Sequence, residues 1–205
     1  SFPKFKSYDF EDITKEFDQV KQTIFEGMLD SNGNRTINLK SLHLESKGKL
    51  KASLVTKVFE KGGGFSIDQL NTVYHPYNTY VGMKLPTTRY GSLPTNKDNK
   101  INLVCVNTKG DLKQNKDTLS IKIYKLEWRW WWRHNNSDLA SYVHNNSYNL
   151  VADKTLTAIS GRASYNFNVG EYNWGQYFIQ VTHSNGHSTS RTVYVDYPGS
   201  DRREK

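Results

Sequence analysis

The residues best equipped for chemistry in this 205-residue chain are Tyr124-Lys125-Leu126-Glu127-Trp128-Arg129-Trp130-Trp131-Trp132-Arg133, a run that holds four of the five tryptophans. Indoles interleaved with guanidinium groups can stack bases or sugar rings, wedge into a membrane surface, or pack as a wet-edged seam between domains. In a strand, alternate side chains face opposite sides. Tyr124, Leu126, Trp128, Trp130 and Trp132 then share one face, and Lys125, Glu127, Arg129, Trp131 and Arg133 take the other. Arg129 and Arg133 flank Trp131 and can stack on it. Glu127 pairs with Lys125, with Arg129 or across the sheet, and with Asn135-Asn136-Ser137-Asp138 it argues against a membrane wedge. The balance favours a seam or interface, with a ligand platform and a plain core strand left open.

Other candidate centres are weaker. His183 and His187 lie four residues apart, but they flank Asn185-Gly186, a hairpin-turn signal, with no third ligand beside them in sequence. The single cysteine, Cys105, sits in Leu103-Val104-Cys105-Val106 and reads as a buried small hydrophobe, so neither a disulfide nor a thiolate metal site is expected. Asp30, Asn32 and Asn34 imitate part of a calcium loop but lack its closing glutamate. Gly62-Gly63-Gly64 is a turn rather than a phosphate loop, since no helix opening on Lys-Ser/Thr follows. No serine elbow or His-Glu-x-x-His pair occurs. The expectation is a non-enzyme with no cofactor, metal or catalytic residue.

Elements that would position these residues are strands. Hydrophobic residues make up 36% and aromatics 13%, enough for a core built on Tyr, Phe and Trp. No stretch approaches the roughly 20 apolar residues of a membrane-spanning helix. The net charge of +8 gathers late, with 17 of the 28 Lys and Arg, against 10 of the 20 Asp and Glu, falling after residue 76. Its lysines are dispersed through turns, which describes a solvated face better than a nucleic-acid patch. Residues 1–23 read as an extended lead-in. Runs 23–29 and 35–39 around Asn32-Gly33 predict a hairpin, and 48–59 and 65–74 around the triple glycine predict another pair. Later strands are expected at 101–106, 119–126, 161–169, 175–182 and 188–197, with Gly/Asn/Asp turns between them. Leu119, Ile121 and Ile123 hold the opposite phase to Tyr124 and Leu126, which predicts a bulge near Ile123-Tyr124 or a change of packing environment. The fold class is all-β, with two consecutive antiparallel β-sandwich domains at 1–76 and 77–198 and a polar linker at 199–205.

Several stretches together resemble a known family. They are Val81-Gly82-Met83-Lys84-Leu85-Pro86, the run from Lys122 through Trp132, Trp174-Gly175-Gln176-Tyr177, and Val193-Tyr194-Val195-Asp196-Tyr197-Pro198-Gly199. This set resembles the sixth macroglobulin domain of bacterial alpha-2-macroglobulins. Phe25 to Gly33, Gly48 to Ala52 and Val58 to Gly63 resemble the end of the domain before it. The resemblance implies macroglobulin (fibronectin-like) sandwiches in a large inhibitor that traps endopeptidases once its bait segment is cut. It further implies a place in the cell envelope, periplasm or outside the cell, with a lipid anchor on an N-terminus beyond this sequence. Partners would be neighbouring domains of the same chain and, through the whole protein, proteases; nucleic acid is not expected. Family members often carry a Cys-x-Glu-Gln thioester, whereas Cys105 is followed by Val106-Asn107-Thr108. With no bait segment either, the chain should be scaffold. A carbohydrate- or nucleic-acid-binding module using exposed indoles is the alternative.

Overall fold

The computed structural model describes residues 2–15, 19, 21–37, 46, 48–87, 91–126 and 150–196. These residues are all-β apart from two single-turn 3-10 segments at Pro3–Phe5 and Glu171–Asn173. β1 (Leu50–Phe59) and β2 (Phe65–Tyr74) pair along their whole length as an antiparallel hairpin, Leu50 opposite Tyr74 and Phe59 opposite Phe65. Glu60 and Gly64 close its tip, where Gly63 takes the left-handed conformation at φ +87° that glycine adopts without steric cost.

The rest builds one sandwich. β3 (Thr79–Lys84), β5 (Asn99–Asn107) and β8 (Arg162–Phe167) form a three-stranded antiparallel sheet. Opposite lies a five-stranded sheet in the order β4 (Leu93–Pro94), β10 (Ser188–Asp196), β9 (Gly175–His183), β6 (Asp117–Lys125) and β7 (Leu150–Ala158). Only the short β4–β10 contact is parallel. Period-two alternation sends Val81, Met83, Ile101, Leu103 and Cys105 inward from the small sheet, against Leu119, Ile121, Ile123, Tyr177, Ile179 and Val181 of the large one. All of these are essentially solvent-free.

The expected irregularity in β6 is present. Ile123 pairs with Ala152 and Tyr124 with Leu150, so Val151 is the extra residue and the bulge lies on the β7 side. The β6–β9 register runs on undisturbed. The switch of hydrophobic phase has a different cause. Tyr124, Leu126 and Phe178 lie on the outer face of the large sheet and are themselves buried, with Ile13 packed over them. Both faces of this sheet are therefore covered near its end.

Three expectations change. The Asp30–Asn34 turn forms, with Asp30 Oδ1 accepting the Asn32 and Asn34 amides at 2.9 and 2.8 Å. The runs beside it, however, are not strands among the described residues, because they are exposed and have no third strand or core to pack on. β7 went unrecognised, since its inward face reads Ala152, Lys154, Leu156, Ala158, too weak an alternation for a strand signal. Residues 2–15, read as the lead-in to the first unit, lie on the sandwich instead. Asp9 bridges to Met83 of β3 through 2.8 and 2.9 Å backbone bonds, and the Ser190 amide of β10 donates to the Glu11 carbonyl at 3.0 Å. This strap thus joins one edge of each sheet and covers the backbone groups that an open edge would expose.

Candidate functional site

The strap is held first by apolar packing. Phe2 and Phe10 join Tyr80, Val104 and Val106 in a second core on the outer face of the small sheet. The Phe10 ring occupies the space a side chain would need at position 82, since a Cβ there would lie 2.6 Å from it. A glycine inside a strand here marks a close approach.

It is held next by a buried carboxylate. Asp12 has no exposed surface and accepts five hydrogen bonds, from Ser188 Oγ (2.5 Å), Ser190 Oγ (2.6 Å), Thr14 Oγ1 (2.6 Å), the Thr14 amide (3.0 Å) and Gln180 Nε2 (2.9 Å). Burial pushes its pKa up, but the bonds from Ser188, Ser190 and Thr14 outweigh burial and hold it below the ordinary carboxylate value. Asp12 is therefore charged, and every donor around it is used.

Beneath the strap lies a joint where three passes of the chain meet. Tyr77, leaving β2, and Tyr80, in β3, set their rings edge-on to His187 at 5.0 and 4.8 Å. His75 Nδ1 lies 3.0 Å from Tyr80 Oη, and Tyr77 Oη donates to the Ser46 carbonyl at 3.2 Å. The Lys49 ammonium sits 4.8 Å over the Phe2 ring, and Lys15 Nζ donates to the Gly186 carbonyl. The base of the β1–β2 hairpin is thus fastened to the sandwich by aromatic rings and two histidines. His187 Nδ1 accepts the Val81 amide at 3.0 Å, so its proton is on Nε2, which is buried without a hydrogen-bond partner.

Cys105 Sγ, an Asp117 oxygen and a His183 nitrogen lie within 4.8 Å of one another. His183 Nδ1 accepts the Asn185 amide at 3.0 Å, which places the ring proton on Nε2, 3.2 Å from Asp117 Oδ1. A metal would need that Nε2 lone pair and would break the Asn185 bond, so the trio is a structural polar network rather than a cation site. Burial first, and Asp117 second, push the Cys105 thiol up to about 12 against a smaller opposing effect of Lys113. The native chain is expected to react with a thiol-specific disulfide reagent only at its rate of unfolding, followed by absorbance with and without denaturant. Rapid labelling of native protein would contradict this burial. His183 and His187, considered as a pair from their spacing, turn to different partners.

Glu127, Trp128, Arg129, Trp130, Trp131, Trp132 and Arg133 lie outside the described residues. Their stretch connects β6 to its antiparallel neighbour β7, so both of its ends emerge at one end of the large sheet, where the Leu126 amide donates to the Gln176 carbonyl at 2.8 Å. Tyr172 and Trp174, at 89% and 48% exposure, stand beside the start of β9 at the same end. A further exposed apolar surface is the hairpin. Facing pairs share a side, so one face carries Val55, Phe59, Phe65, Ile67 and Val73 and the other Val58 and Leu70, all largely exposed.

Sequence reasoning missed the Asp12 latch and the His187 joint. Asp12 looks like one of several scattered acids, and its donors Gln180, Ser188 and Ser190 lie more than 160 residues away. The available signal was the polar triplet Ser188-Thr189-Ser190 at the start of β10, and all three residues are buried.

A two-sheet antiparallel sandwich with a wrapped strap and a hairpin on its flank defines a β-sandwich module. The chain belongs to the bacterial macroglobulin domain 6 family, whose match covers residues 82–197. Its fold is similar to that of trypsin-activated alpha-2-macroglobulin from Escherichia coli, at 16% identity and a TM-score of 0.52 over 96% of this chain. Salmonella alpha-2-macroglobulin mutant Y1175G is similar at 17% identity and a TM-score of 0.50 over 96%. This chain spans 13% and 14% of those two proteins. No curated protein matches its sequence significantly.

Proposed function

We propose that the chain is a scaffold piece of a broad-spectrum, alpha-2-macroglobulin-like endopeptidase inhibitor in the bacterial cell envelope, and that it acts by holding shape. The domain 6 family match over 82–197 carries this reading. The inhibitor itself would be a much longer protein, as the solved relatives are. Cys105 lacks the Glu-Gln sequel of a thioester and is buried as an unreactive thiol, which supports a non-reacting role.

The partners proposed are neighbouring domains of the same long chain. The β1–β2 hairpin supports this, because apolar side chains on both faces suit a strand pair enclosed by further sheet. On this division, residues 2–15 and 79–196 make one unit, and the hairpin belongs to the unit that precedes it in the parent. The Trp-Arg stretch would lie in a seam at the opposite end of the large sheet.

Incubating the isolated chain with excess trypsin or elastase tests the scaffold role. Protease activity on a protein substrate should be unchanged, and methylamine should not be incorporated. Stoichiometric inhibition or amine incorporation would overturn it.

A further inference from the structure

The joint around His187 places a titratable ring where chain passes cross, and it has no evident use in a static scaffold. His187 belongs to the β9–β10 turn of the sandwich, but its cover comes from elsewhere. Tyr77 arrives from the hairpin, and Lys15, Asp12 and Phe10 arrive on the strap. Hairpin and strap leave together if this cover lifts, since Tyr77 holds Ser46 and Lys49 lies over Phe2. We propose that this joint is a proton-gated hinge, through which acidification releases the strap and the β1–β2 hairpin from a sandwich that stays folded.

The sign follows from the surroundings of the ring. With the joint closed, burial first, then the Lys15 ammonium and His183, hold His187 down to about 3, and the Phe10 backbone and the Asp12 carboxylate oppose them more weakly. Tyr80 is neutral on the acid side, burial having pushed it up to about 12. With the joint open, the ring regains the ordinary value of 6.5. Only the open form then takes up the proton, so the closed-to-open ratio falls about tenfold for each pH unit below 6.5. His75 works in the same direction, its pKa lowered by burial and by Lys49. Asp12 does not contribute over this range, because its depressed pKa makes itself felt only below the ordinary 3.8.

Hydrogen exchange by mass spectrometry on the full 205-residue chain, corrected for intrinsic exchange rates and run from about pH 7.5 to 4.5, tests this. Peptides from 2–15, whose amides bond to β3 and β10, should lose protection about a hundredfold between pH 6.5 and 4.5. Peptides from β6 and β9 should keep theirs. His187→Gln should flatten the strap's dependence, whereas His183→Gln, at the neighbouring network, should not. Flat strap protection in the parent chain, parallel loss in strap and sandwich, or an unchanged slope in His187→Gln would each overturn the hinge. The first two comparisons need no variant, so they decide even if His187→Gln fails to fold.

Discussion

Gly161→Ala should destabilise the sandwich by about 3 kcal/mol, the sum of a left-handed backbone penalty and a backbone clash. Ser160 and Gly161 form the two central positions of the tight β7–β8 turn, at φ +49° and +71°. Ile159 and Arg162 exchange backbone bonds of 2.9 and 3.0 Å across it. The turn also rests on β5, where the Cys105 amide donates to the Gly161 carbonyl at 2.9 Å and the Lys113 amide donates to the Cys105 carbonyl at 3.0 Å. A Cβ at 161 would lie 2.8 Å from the Cys105 carbonyl oxygen and 2.9 Å from the Lys113 amide nitrogen and carbonyl oxygen. These are backbone atoms of a central strand and its return, and they have no rotamer to yield. Gly186→Ala is the control, being left-handed at φ +90° with nothing within 4 Å, and it should cost only about 1 kcal/mol. Urea unfolding of both variants measures the difference. Equal losses would show that the turn is not seated on β5.

Asp12→Ala should cost about 3 kcal/mol, because it leaves buried donors of Ser188, Ser190 and Gln180 without their acceptor. The loss should appear locally. Limited proteolysis should cut within residues 2–15 while the β6–β9 ladder remains protected. The pH dependence separates this latch from the histidine beneath it. The folded pKa of Asp12 is depressed, so its contribution is complete above 3.8 and is lost as pH falls through the folded value. Destabilisation from His187 begins earlier, below 6.5. Asp12→Ala should therefore abolish the acid limb that sets in below 3.8 and keep the one that begins below 6.5. Loss of both limbs would mean that the strap is needed for His187 to be buried at all.

Sandwich strands were legible wherever one face is apolar and the other wet, as in Leu119-Ser120-Ile121-Lys122-Ile123. The break after Ile123 was legible too, because a phase change must be answered by a bulge or by a second buried face. Here the second face answers it, and the bulge at the same level lies in β7. Sequence could not show what covers that second face. Ile13 and Asp12 reach it across more than a hundred residues, and their own spacing has no period. Gly82 was visible only as part of a motif, and its purpose depends on the Phe10 ring above it. The Asn32-Gly33 turn was read correctly as a turn and overread as a hairpin, since local turn chemistry does not supply strands with a core. The seven Trp-Arg-Glu candidates lie outside the described residues, within the span 82–197 that the family match covers.

The scaffold reading is tested most directly by small-angle scattering on the longer inhibitor proposed to contain this chain, before and after limited trypsin treatment. A fall in the radius of gyration on cleavage is predicted, with the strap and hairpin of this segment uncut and trypsin retained by the cleaved protein. Cleavage with unchanged dimensions and freely released trypsin would contradict it.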